Sequence, residues 1–236
     1  LFPLSIIKTG FQDMLSIAYP NNCKLCKQSL FEKEETLCSA CLEGLPITNY
    51  HKVQDNPIQQ LFWGRCDLEF ASAMYFINKH NKVHDLIHLL KYRDKPTVGE
   101  RLGRRLGNAL KEEDSLFGQV DFIVPVPLHW KKEKLRGYNQ SYHIALGINE
   151  KTAIPIDHTN LERRVENISQ TKKGKYDRWE NVEEIFVLKN PHVFKDKHIM
   201  LIDDVVTTGA TLEACVHALK KVNCRVSVYT LATAGT

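Results

Sequence analysis

Residues 199–211 read IMLIDDVVTTGAT. Four consecutive apolar residues ahead of two aspartates describe a strand covered on both faces, because strands open to water on one side alternate instead. The small-residue loop leads into Leu212, Cys215, Val216 and Leu219, which share one face of a helix. A buried strand turning directly into a helix is a unit of α/β architecture, and ligands of such sheets collect beyond the carboxyl ends of the strands.

The loop occupies that place, and its composition names a class of guest. Small residues from Val205 to Thr211 let backbone N–H groups turn toward an anion at a helix N-terminus, and Thr207, Thr208 and Thr211 add hydroxyl donors. A phosphate suits those donors. Two carboxylates aimed at the same phosphate would repel it, so Asp203 and Asp204 are read as acceptors for neutral hydroxyls nearby, as on a ribose. There is no G-x-x-x-x-G-K-[ST], which argues against a P-loop nucleotidase. A plain strand-to-helix turn would use one Asp as a cap and one Gly for positive φ, leaving the other residues without a task.

Other segments extend the same alternation. VDFIVPVPL and RVSVYTLAT read as strands, while Val83, Leu86, Ile87 and Leu90, then Val98, Leu102, Leu106, Ala109 and Leu110, have helical spacing. The expected fold is an α/β domain on a mainly parallel sheet, over residues 61–236. Residues 1–60 are expected to form a small N-terminal module and a linker, since GLPITNYHKVQDNPIQQ carries Gly, two Pro and many polar residues.

That module has its own signature. Cys23 and Cys26 form one C-x-x-C, and Cys38 and Cys41 form a second after eleven residues. Two such knuckles point four thiolates at one centre, the donor set of structural Zn²⁺, and the metal would supply folding energy that a small core lacks. Cys66, Cys215 and Cys224 read as small core residues.

Lys+Arg 32 against Asp+Glu 28 leaves a formal charge of +4, which suits an anionic ligand but does not mark a nucleic-acid protein by itself. No run approaches the roughly 18 apolar residues of a membrane span. LFPLSIIKTGFQDMLSIAYP is interrupted by Lys8, Gln12 and Asp13 and does not read as a signal peptide, so a cytoplasmic protein is expected. His84 and His88 imitate the spacing of a helical zinc site, but they flank the apolar stripe and Asp85 is a short base, so a metalloprotease is not read from them.

The stretch IMLIDDVVTTGAT resembles the phosphoribosyl-pyrophosphate (PRPP) signature of type I phosphoribosyltransferases. Together with the four-Cys module, LLKYRD at 89–94, VPVPLHWKKEKLRGYNQS at 124–141 and the R-x-x-N-V at 178–182, essentially the whole chain resembles the ComF family, which is amidophosphoribosyltransferase-like and takes its name from a competence protein. The resemblance implies a parallel-sheet type I phosphoribosyltransferase fold with an N-terminal zinc ribbon. In that fold Asp203 and Asp204 hold the ribose 2- and 3-hydroxyls, and Val206, Thr207, Thr208, Gly209, Ala210 and Thr211 wrap the 5-phosphate. Pro127, Leu128 and His129 stand where the pyrophosphate loop belongs, with Arg136, Asn139 and Gln140 and the nearby Lys131, Lys132 and Lys134 toward the pyrophosphate and its Mg²⁺.

Residues 163–181 correspond to a hood or flexible loop that closes over PRPP and excludes water, with Gln170, Lys172 and Arg178 reaching the site. Tyr138 and Trp179 are the aromatic candidates for stacking on an acceptor, which the sequence does not name. Lys91, Tyr92 and Arg93 serve either a helix C-terminus or a substrate. Two functions follow from the resemblance. One is a phosphoribosyltransferase using PRPP and Mg²⁺. The other is a non-catalytic competence protein that binds single-stranded DNA or a helicase partner, for which Lys24 and Lys27 in the first knuckle are suitably charged.

Overall fold

The computed structural model describes residues 21–31, 34, 36–92, 96–112, 120–164 and 185–234. It divides into two units, residues 1–45 and residues 46–236.

In the first unit, the short helix α1 (Ser39–Glu43) begins at Cys38, whose side chain accepts from the Cys41 N–H. Among the described residues of this unit, Leu37, Leu42 and Leu45 are the buried leucines. Burying each contributes about 1.5–3 kcal/mol.

In the second unit, α2 (Pro57–Leu61) precedes β1 (Phe70–Ile77), α3 (Lys82–Tyr92), α4 (Pro96–Glu112) and β2 (Phe122–Pro125). Then come α5 (Trp130–Arg136), α6 (Gln140–Thr152), β3 (Leu161–Arg163), β4 (Phe186–Leu188), β5 (His198–Val206), α7 (Ala210–Lys220) and β6 (Arg225–Ala234). The main sheet is parallel in the order β1-β6-β5-β2, and β3 and β4 form a separate antiparallel pair. Pro125 pairs with Ile202, and Ile202 with Tyr229, so the carboxyl ends of β2 and β5 leave the sheet side by side.

The central strands are buried along nearly their whole length, as their continuous apolar runs require. On one face Leu212, Cys215, Val216 and Leu219 of α7 pack with Val124, Leu201, Val226 and Val228. Cys224 joins this core, and Cys66 is partly buried against it. Helices α4 and α6 approach so closely that a Cβ on Gly103 would lie 2.1 Å from the Ile144 carbonyl oxygen, and one on Gly147 would lie 2.1 Å from that of Glu100.

Residues 46–60, whose composition suggests a linker, are built into the second unit. Thr48 N–H donates to Met74 O and Phe76 N–H to Pro46 O, both at 2.9 Å, which covers the free edge of β1. Asn56 is 1% exposed; its Oδ1 accepts from Ile58 N–H and Gln59 N–H to cap α2, while its Nδ2 donates to Ala71 O of β1 at 2.9 Å. Pro and polar residues here supply caps and edge bonds within a packed element. No helix among the described residues is long and apolar enough to cross a membrane.

Candidate functional site

The acidic pair sits at the carboxyl end of β5 with its two side chains in different company. Asp203 Oδ1 accepts from Ser141 Oγ and from the Asp204 N–H, both at 2.9 Å. Burial, followed by the charge of Asp204, pushes the Asp203 carboxyl up to about 7. Asp204 is 4% exposed, and its Oδ2 lies 2.9 Å from Lys91 Nζ at the end of α3. That oxygen has no hydrogen bond, so the contact is a charge pair without hydrogen-bond geometry.

Ser141 reaches Asp203 because Asn139 fixes the start of α6. Asn139 Oδ1 accepts from the Ser141 N–H at 2.9 Å, and its Nδ2 donates to the Val126 carbonyl at 3.0 Å. A single side chain thus ties the helix to the end of β2. Val126 N–H in turn donates to Ile202 O at 2.8 Å, so Pro127 and Leu128 leave the sheet beside the acidic pair.

Beyond Asp204 the strand continues through buried Val206 into exposed Thr207 and Thr208, then Gly209, Ala210 and Thr211. Gly209 has φ +74 and stands at the N-cap of α7 without a side-chain cap. A Cβ there would also lie 2.9 Å from the Phe62 ring, so glycine is required twice. A small cavity is lined by Asp203 and residues 205–212, which brings one ribose candidate and the phosphate loop around one space, while Asp204 is not among its lining residues. The N-terminus of α7, with its positive end of the helix dipole, opens onto it.

The remaining candidates from the 124–141 stretch bond largely among themselves. His129 is 5% exposed, and its Nδ1 accepts weakly from the Lys131 N–H at 3.4 Å, capping α5. Arg136 Nη1 donates to the Oε1 of buried Gln140 at 3.0 Å. Lys131 and Lys134 are exposed. Tyr138 is buried, its hydroxyl donating to Leu90 O and its ring edge-on to His143, so it presents no face for stacking a base. Gln170, Lys172, Arg178 and Trp179, together with Arg93, lie outside the described residues.

Sequence reasoning did not select Ser141 or Arg163, and it left Lys91 undecided. Arg163 lies over the Phe186 ring at 5.4 Å; burial draws its pKa down, against the charges of Cys215 and Asp203. No local pattern announces these residues, since Lys91 and Ser141 contact the acidic pair, and Arg163 feels the charge of Asp203, each from a different element. His84 and His88 are exposed, and among the described residues the four cysteines are the one cluster suited to a metal.

Those four sulfur atoms all lie within 4.8 Å of one another, with Cys26 Sγ 3.6 Å from Cys38 Sγ. A tetrahedron with Zn–S near 2.3 Å has edges of about 3.8 Å, so the set fits such an ion. Cys38 N–H donates to Cys23 Sγ and Cys41 N–H to Cys38 Sγ, each at 3.4 Å, as thiolate ligands require. Burial and the three neighbouring sulfurs push the Cys41 thiol up to about 12. Burial also raises Cys23, but backbone N–H groups outweigh it and bring that thiol down to about 6. Crowded thiolates repel one another unless a cation stands between them.

The phosphoribosyl transferase domain family matches residues 156–236. Competence protein F of Haemophilus influenzae is 26% identical over 84% of this chain and 90% of its own length. DNA utilization protein YhgH of Escherichia coli K12 is 26% identical over 84% of this chain and 83% of its own. Competence protein ComFC of Bacillus subtilis is 36% identical over 41% of this chain and 37% of its own. With its acidic pair, small-residue loop and four-cysteine cluster, the chain is similar to the competence protein F and YhgH proteins over most of its length and to ComFC over part of it, and its residues 156–236 match the phosphoribosyl transferase domain family.

Proposed function

We propose that this protein binds PRPP with Mg²⁺ and acts as a phosphoribosyltransferase on an acceptor still to be identified. The observation that carries this reading is the cavity shared by Asp203 and the loop 206–211, which turns at an uncapped Gly209 into α7, with Asp204 next to Asp203 in β5. Carboxylates accept from ribose hydroxyls while loop N–H and threonine O–H groups donate to the 5-phosphate, so the ligand is held at both ends of its sugar. Asn139, Arg136 and Gln140 shape the wall at the pyrophosphate side through their internal bonds.

In the transfer itself the bond from ribose C1 to the pyrophosphate oxygen breaks, pyrophosphate leaves with the electron pair, and the acceptor nucleophile forms the new bond to C1. Mg²⁺ bound together with the pyrophosphate would supply charge neutralisation for that departure. The chain's own contribution is placed charge and water exclusion around an oxocarbenium-like centre.

The four cysteines are proposed to hold one structural Zn²⁺. The names of the relatives, competence and DNA utilization, support a second reading in which the chain handles single-stranded DNA or docks a helicase. Titration calorimetry of PRPP with Mg²⁺ into wild type and the Asp203→Asn, Asp204→Asn double variant tests the first. Binding by wild type alone supports it, and a pyrophosphate-release screen then identifies the acceptor. No binding by wild type refutes it, and salt-sensitive binding of single strands would then favour the second.

A further inference from the structure

We infer that Arg65 is a positioning residue that locks the peptide between Thr208 and Gly209 in the orientation a phosphate needs, an inference that rests on the phosphate reading of this loop. Arg65 lies between α2 and β1, outside every motif the sequence displays. Its Nη1 donates to the Thr208 carbonyl at 2.7 Å and to the Leu61 carbonyl at 3.1 Å. Its Nη2 pairs with Glu213 Oε2 at 2.5 Å, in the first turn of α7. One planar guanidinium thus joins the end of α2, the phosphate loop and the helix that follows it.

The consequence comes from peptide geometry. In a trans peptide the carbonyl of one residue and the N–H of the next point in opposite directions. There is no cis peptide among the described residues, so holding the Thr208 carbonyl against Arg65 directs the Gly209 N–H away from it. Were this peptide to flip, an acceptor would face the ligand where a donor should be, and carbonyl and phosphate oxygens repel.

Gly209 cannot settle the choice alone. Glycine populates both signs of φ, so the residue that makes the tight turn possible also makes the flip cheap. Arg65 supplies the preference that glycine lacks. Phe62, 1% exposed, closes the remaining freedom by filling the space where a Gly209 Cβ would stand. Glu213 accompanies the helix start, where a carboxylate favours the dipole but opposes an anionic ligand. The Arg65 charge offsets that opposition.

The support for Arg65 can be followed back through the chain. Asn56 caps α2 and bonds to Ala71 O of β1, so the segment that carries Arg65 is registered against the same sheet that carries the loop. Both ends of the Arg65–Thr208 bond are therefore referred to one rigid element.

The test measures the Gly209 N–H orientation by residual dipolar coupling in ¹⁵N-glycine-labelled protein, and PRPP affinity with Mg²⁺ by calorimetry. Wild type is compared with Arg65→Ala, Arg65→Lys, Glu213→Gln and, as a control on the same segment, the exposed Trp63→Ala. Arg65→Ala is expected to shift or average the Gly209 coupling, leave glycines remote from the loop unchanged, and weaken PRPP about tenfold, the effect of one donor lost to a charged ligand. Arg65→Lys, which keeps a cationic donor, is expected to recover part of both. Unchanged Gly209 couplings in Arg65→Ala and Arg65→Lys overturn the inference. If Arg65→Ala does not fold, Arg65→Lys and Glu213→Gln are judged by the same criteria. A shifted coupling in variants of a wild type that does not bind PRPP would uphold the lock and remove the proposed ligand.

Discussion

Lys91 Nζ stands 2.9 Å from Asp204 Oδ2, joining the last turn of α3 to the carboxyl end of β5. The lysine side chain is 24% exposed and the carboxylate 6%, so the pair is shielded without being sealed from water. Lys91→Met leaves a buried carboxylate without its cation and is expected to lower stability by about 1–3 kcal/mol. Urea unfolding of Lys91→Met, Asp204→Asn and the double variant checks this. Coupling is shown if the double variant costs less than the sum of the two single changes, and strict additivity would refute it.

Asp203 makes stability depend on pH with a definite sign. An unfolded aspartate titrates near 3.9, whereas burial and Asp204 bring the folded group up to about 7. The folded state therefore holds the proton more tightly, so this group's contribution is fully present below about pH 4 and is lost as pH rises through about 7. Asp203→Asn should remove that decline. The check is the difference between wild-type and variant unfolding free energies from pH 4 to 8; parallel curves would count against the burial of this carboxyl.

PRPP affinity should move the opposite way with pH. Hydroxyls of the ribose favour an ionised acceptor, so the wild type is expected to bind more tightly as pH rises through about 7 than the phosphates of the ligand alone explain. Asp203→Asn serves as the reference that carries the ligand's own titration. Equal pH slopes for both proteins would place the ribose elsewhere.

The close approach of α4 and α6 predicts a large effect far from the ligand. A methyl at Gly103 or Gly147 meets backbone oxygen at 2.1 Å, which only a shift of a whole helix can relieve. Gly103→Ala is expected to cost about 3 kcal/mol or more, at the upper end for overpacking. Calorimetric Tm measurements decide it. Because α6 carries Ser141 and its cap Asn139, the same variant should weaken PRPP binding as well.

The cysteine cluster predicts one zinc per purified chain. Chelation should make Cys23, Cys38 and Cys41 titratable, since these buried thiols then lose the ion that holds their segment together. Metal analysis with thiol titration reads both outcomes, and a metal-free protein with unreactive thiols would refute the site.

Periodicity determined much of the architecture. The apolar run 199–202 and the helical spacing of Leu212, Cys215, Val216 and Leu219 are local patterns, and β5 and α7 form where those patterns lie. The C-x-x-C pairs and the small-residue loop are likewise legible, because their chemistry is confined to a few neighbouring residues. His129 and Asn139 show where this ends. The 124–141 stretch reads as a ligand-facing segment, yet His129 caps a helix and Asn139 ties α6 to β2, roles that depend on where those elements begin.

Tertiary structure alone decided what surrounds Asp203 and Asp204. Lys91 and Ser141 come from α3 and α6, and Arg65, on the neighbouring loop, from the turn after α2; nothing in their own neighbourhoods distinguishes them from other lysines, serines and arginines. The strand order β1-β6-β5-β2 brings them together by pairing segments distant in sequence. Hydrophobic patterning specifies which face of an element is buried, but it does not specify which element covers that face, and the electrostatics of this site follow from that second choice.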